Sequence, residues 1–196
     1  MSVTLKGNGA KLAELIKKLS NASSVEIGWN EEARYPGSHR NGGDFVANVA
    51  VINEYGGTFA LAVPARTQTL YRSIDEKSGT FKRGARFVKA AKANYETEAE
   101  VPAHDVVIPP RPFFRTMIAR DKDKYAGDLA VLIESNGYNA KTALGKLGKN
   151  IQEELKKTIV GWNSPGNAAS TVARKKRDDP LVETRQMRDT VNHWVK

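Results

Sequence analysis

The hydrophobic positions of this chain recur in a few clear periods. Leu12, Leu15, Ile16 and Leu19 follow the i, i+3, i+4, i+7 spacing of one helical face, so residues 8–20 predict an amphipathic helix with Lys11, Lys17 and Lys18 on its wet side. Val25, Ile27 and Trp29 alternate, which suits a half-buried strand over 23–29. EEARYPGSHRNGG follows, rich in turn formers, and predicts a mobile loop. A second helix is expected over 44–55, with Asp44 as N-cap, Phe45, Val49 and Ile52 sharing a face, and Gly56 and Gly57 closing it. Thr58 to Val63 and Asp105 to Ile108 read as strands, each stopped by proline.

Two longer helical patterns come later. Over 113–134 the apolar set is Phe114, Met117, Ile118, Tyr125, Leu129, Leu132 and Ile133, with Pro112 at a tolerated first-turn position and Asn136-Gly137 as terminators. Over 140–160 it is Ala143, Leu144, Leu147, Ile151, Leu155 and Ile159, ended by Gly161. The turn between the two is short, so they should pack as an antiparallel pair.

Residues 64–103 have no sustained helical period. They carry Arg66, Arg72, Lys77, Lys82, Arg83, Arg86, Lys89 and Lys92 against Asp75 and Glu76 up to that point. An excursion of this length inside a compact domain is usually functional or disordered. Tyr71, Ile74, Phe81, Phe87 and Val88 favour a long β-hairpin arm. Aromatics among cations suit a nucleic-acid backbone with stacked bases, or a protein partner anchored by arginine and aromatic side chains. The protein partner is the better reading, because no nucleic-acid fold signature accompanies the pattern.

The last segment, 164–196, begins with the helix-breaking Pro165-Gly166-Asn167 and continues into a basic run, Arg174, Lys175, Lys176 and Arg177. Leu181, Val182, Met187, Val191, Trp194 and Val195 then supply apolar surface that needs covering. The segment should dock, either on its own sheet or at a subunit interface. The basic run is either a solvated loop or a binding surface.

The whole predicts one α+β domain over 1–196: a small antiparallel sheet on two long helices, a projecting basic arm at 64–103 and a C-terminal docking segment. A length of 196 residues supports one substantial core. With 31 Lys and Arg against 22 Asp and Glu the net charge is +9, which favours an anionic partner such as nucleic acid, an acidic protein face or a membrane surface. Cysteine is absent, which excludes disulfides, thiolate metal sites and cysteine nucleophiles. No apolar run approaches the roughly 20 residues of a membrane span, and the first residues lack a signal-peptide core, so a cytoplasmically made chain with no membrane partner is expected.

Candidate chemistry is sparse. His39, His104 and His193 lie in separate segments without metal-ligand spacing, and no G-x-S-x-G occurs. The glycine pairs at 42–43 and 56–57 lack the ending of a phosphate-binding loop. Glu153 and Glu154 are neighbours on a helix, about 100° apart, and do not converge on one atom. No catalytic residue, metal or cofactor is expected.

Three segments stand out by their order: INEYGGT (52–58), IPPRPFFR (108–115), then SPGNAASTVARKK with DPLVETRQMRD. This order resembles the tail-completion or neck proteins of long-tailed bacteriophages, whose pattern runs xEfGt, IPaRPFlr, and N...ST...RKG...PLidTGqLrnSI. The likeness extends from about residue 44 onward, and the pattern's Thr-Gly stands here as Thr184-Arg185. The resemblance implies a structural virion subunit, a homo-oligomeric and by family hexameric ring between head connector and tail. It also implies a place in the virion neck and non-specific contact with genomic DNA. Interface or DNA-passage candidates are Arg66, Arg72, Lys82, Arg83, Arg86 and Lys89 on the arm, and Arg111 and Arg115 at the proline-rich corner. Arg174, Lys175, Lys176, Arg177 and Trp194 near the C-terminus complete the set. A tail terminator or minor tail protein, or a nucleic-acid-binding protein outside any virion, are the alternatives.

Overall fold

The computed structural model describes residues 9–37, 43–82 and 87–196, and for 59–63 the backbone alone. His39, Arg83 and Arg86 lie outside the described residues. In chain order the elements are α1 (Gly9–Leu19), β1 (Val25–Gly28), α2 (Val46–Tyr55), β2 (Gly57–Val63), β3 (Arg66–Arg72), β4 (Tyr95–Val101), β5 (His104–Ile108), α3 (Phe113–Ser135), α4 (Ala140–Gly161), α5 (Ala169–Lys175), α6 (Gln186–Asp189) and β6 (Asn192–Val195). The fold is α+β. Its strands form three two-stranded antiparallel sheets, β1 with β6, β2 with β5 and β3 with β4, where a single small sheet was expected. The chain divides into two compact units, Met1–Gly56 with Pro109–Lys196, and Gly57–Ile108.

The first unit is built on α4. Asn139 caps it by accepting the Thr142 N–H at 3.0 Å, and the stripe Ala143, Leu144, Leu147, Ile151, Leu155 and Ile159 is buried as its period requires. The β1–β6 ribbon packs on one side, where Gly148 is buried. A Cβ at that glycine would lie 2.5 Å from Val25 Cγ2 and 2.7 Å from His193 Cδ2, so the missing side chain sets how closely sheet and helix approach. His193 Nδ1 meets Gln152 Oε1 at 2.6 Å, and Gln152 donates to Val191 O at 2.9 Å, tying the strand's entry to the same helix. Along its other side α4 meets α3, with Lys124 Nζ 2.7 Å and Tyr125 Oη 3.0 Å from the Glu154 carboxylate. Burial, then the Glu154 carboxylate, pushes the Tyr125 hydroxyl well above its ordinary value, so it remains a donor.

The C-terminal segment docks on its own unit. Leu181, Val182, Met187 and Val191 join Phe113, Met117, Val46 and Leu155 in one core, and β6 pairs with β1 from Val25↔Val195 to Gly28↔Asn192. Trp29 links the layers: its Nε1 donates to Met187 O at 2.8 Å and its ring meets Phe113 edge-on at 6.4 Å.

One expectation is corrected here. Asp44 does not cap α2; Phe45 takes that position without a side-chain cap, and the buried face is Val46, Ala50 and Glu54. The reason is Phe45's own engagement, since it bridges to Arg34 and lies 3.7 Å beneath that guanidinium. Of the loop before it, expected to be mobile, residues 38–42 lie outside the described residues; in the described part Tyr35 N–H donates to Asp44 O and Gly43 N–H to Tyr35 O, and Ala33 and Tyr35 are core residues. Finally, α1 forms as its period predicts but its stripe is uncovered, Leu12 and Ile16 each remaining 57% exposed.

The second unit is a two-stranded ribbon. Gly57 faces Ile108 at its base and Arg72 faces Tyr95 further out, with Pro64 on one strand and Pro102 on the other between Val63↔His104 and Arg66↔Val101. Proline offers no N–H, which separates β2–β5 from β3–β4 at that level. Beyond Arg72 a tight turn follows, in which the Asp75 carboxylate accepts from Lys77 N and Ser78 N at 3.0 Å each and Gly79 takes φ +66°. These bonds, that from Ser78 first, hold the Asp75 carboxyl below its ordinary value. Phe87 bridges to the other edge of Arg72, with Val88 N–H donating to Tyr71 O at 2.9 Å.

Candidate functional site

The three segments singled out in the sequence converge on one junction of the first unit. α2 ends at Asn53-Glu54-Tyr55, where Gly56 at φ +70° turns the chain away. The prolines of 109–112 hold the returning chain extended until α3 begins, and Arg111 N–H donates to Asn53 O at 2.7 Å. The Arg111 side chain is buried and spends its fork on three acceptors: Asn53 Oδ1 at 3.0 Å, Pro165 O at 3.1 Å and Gly166 O at 3.0 Å. Burial pulls its pKa down and the Asp178 carboxylate offsets part of that pull. One guanidinium thereby joins the α2 end, the proline corner and the Pro165-Gly166 turn.

Glu54 completes the junction from the opposite side. It is buried, and its carboxylate accepts from Phe114 N at 2.9 Å, Arg115 N at 3.1 Å and Arg115 Nε at 2.8 Å. Pro112, the α3 N-cap, has no capping side chain, so a carboxylate from another helix fills that role and meets the positive end of the helix dipole. Arg115 also donates to Glu54 O at 3.1 Å and lies 4.5 Å over the Tyr55 ring. At the third segment Asp178 accepts from Asn167 N at 2.7 Å and from Asn167 Nδ2 at 3.0 Å. A Cβ at Gly166 would come within 2.6 Å of Asp178 Oδ2, which accounts for glycine there.

The candidate residues therefore separate. Arg111 is a buried tie inside its own unit, only 6% exposed. Arg115 holds Glu54 with an exposed side chain. In the basic run, Arg174 pairs with Glu183, Lys175 Nζ donates to Asp179 O, and Arg177 pairs with Asp179 at 3.1 Å while donating to Glu183 O at 3.2 Å. Burial lowers the Lys175 pKa. The run is thus partly a staple between α5 and the 178–183 turn, and Lys176 alone of the four makes neither an ion pair nor a side-chain hydrogen bond among the described residues. Trp194 is half-buried on β6, opposite Glu26. Arg66, Lys82 and Lys89 are exposed. Arg72 is half-buried between Phe81 at 5.1 Å and Phe87 at 5.0 Å, and its buried Nε has no hydrogen-bond partner among the described residues.

Sequence reasoning quoted Asn53 and Glu54 within a motif but assigned them no role, and it missed Asp178. The signal was present in the order of the motifs; what was lacking was the knowledge that they touch. Among the described residues, no cluster of His, Asp and Glu has metal-binding geometry, and no helix is long and apolar enough to cross a membrane.

Lys176 and Arg185 take φ +58° and +64°, the left-handed region that glycine enters without strain. Lys176→Gly and Arg185→Gly should each stabilise the protein by about 0.5–1 kcal/mol, the relieved strain exceeding glycine's extra unfolded-state entropy. Thermal unfolding should show a Tm higher by about 2–3 °C for each. Unchanged or lower values would remove this argument. No family model, curated protein or solved structure matches the chain.

Proposed function

We propose that this chain is a structural virion protein of a tailed bacteriophage, a neck or tail-completion subunit that assembles as a ring joining the head connector to the tail. The observation that supports the reading most is the junction: the motifs that carry the resemblance, distant in sequence, meet in hydrogen bonds centred on the buried Glu54 and Arg111, which reach Asn53, Arg115, Pro165 and Gly166. A subunit of a closed ring needs such a rigid corner, because an angular error at one interface repeats at every other. The net charge of +9 suits a ring around the genome's passage, where Lys and Arg meet phosphates without reading sequence. Particles assembled without the chain should accumulate as filled heads and finished tails that do not join, and adding the purified protein should restore joining. Normal joining in its absence would overturn the proposal.

A further inference from the structure

The β3–β4 ribbon has two chemically opposed regions. The register places Glu96 opposite Tyr71, Glu98 opposite Thr69 and Glu100 opposite Thr67, so three glutamates share one face with neutral neighbours. All three are exposed, successive ones about 7 Å apart along the strand, and none has an ion-pair partner among the described residues. Arg66 and Arg72 project from the opposite face by the same alternation. Past the end of the ladder the character reverses: Phe81 and Phe87 are 40% and 60% exposed, and Lys82, Lys89 and Lys92, in the same 81–92 stretch of the chain, are exposed as well. Like charges on one strand face repel, and a two-stranded ribbon is marginal alone in water. The glutamates and the lysines, unpaired at home, complement each other across copies.

We propose that the basic, aromatic tip of one copy docks on the Glu96–Glu98–Glu100 face of the next. The contact is head-to-tail: tip and face are different surfaces, so each copy offers one and uses the other, and repetition closes a ring when the rotation allows. Phe81 and Phe87 provide the buried anchors, and the charges steer and fix the register. This rests on the ring reading and names the surfaces that build it.

The test is sedimentation velocity on the full chain at low and high salt. Wild type should self-associate, more weakly as salt screens the contact. Glu96→Lys/Glu98→Lys/Glu100→Lys should weaken association at least 10-fold, and Lys82→Glu/Lys89→Glu/Lys92→Glu likewise. Mixing the two should restore association with the variants alternating, since each one's tip is complementary to the other's face, and a chain carrying all six changes should regain association by itself. Circular dichroism confirms folding, and the glutamine triple at 96, 98 and 100 replaces the lysine triple should that one unfold. A wild-type assembly indifferent to these changes overturns the tip-to-face contact while leaving the ring intact. A wild-type chain that stays monomeric at every concentration also overturns it, whereas the ring reading itself is judged in the particle.

Discussion

Phe113→Ala should lower the unfolding free energy by about 3–5 kcal/mol, the cost of emptying a large buried aromatic site. Phe113 is 1% exposed, packs edge-on against Trp29, and belongs to a core cluster to which α2, α3 and the C-terminal segment contribute Val46, Met117 and Met187. Collapse around it would require α2, α3 and the C-terminal segment to move together. Phe114 is only partly buried against that core, and Phe114→Ala should cost clearly less. Urea unfolding followed by circular dichroism measures both. Equal and small losses would mean that the proline corner is not anchored through Phe113.

Arg111→Met should cost a similar amount for a different reason. The substitution keeps much of the apolar stem but leaves Asn53 Oδ1, Pro165 O and Gly166 O without their donor, and each orphaned acceptor costs about 1–3 kcal/mol where water does not replace the bond. A total of about 3–5 kcal/mol is expected. Arg111→Lys should recover less than half, because an ammonium lacks the planar fork that reaches three acceptors at once. Unfolding curves of the two variants against wild type decide the matter, and a lysine variant as stable as the parent would show that charge alone suffices there.

Periodic segments were legible in the sequence and convergent ones were not. The α4 stripe from Ala143 to Ile159 and the alternation of Val25 and Ile27 each record a single inward face, which the spacing of apolar positions reveals. The α2 face was misjudged because it buries a glutamate: Glu54 looks like a wet residue until the α3 N-terminus that it caps is brought beside it. The burial of Arg111 was not legible for the converse reason. An arginine between prolines reads as exposed, and only the carbonyls of Pro165 and Gly166, more than fifty residues on, make its burial tolerable. The acidic face of β4 escaped notice as well, since the cations were counted along 66–92 and the three glutamates stand just past that window, in a strand whose register the sequence does not state.

The measurement that bears most directly on the account is electron cryomicroscopy of assembled particles in which this chain carries a small genetically fused label. The account predicts label density in a symmetric ring at the joint between head connector and tail, with one copy of the chain in each repeat of the ring. Label at the capsid surface or the tail tip, or none in finished particles, would contradict it.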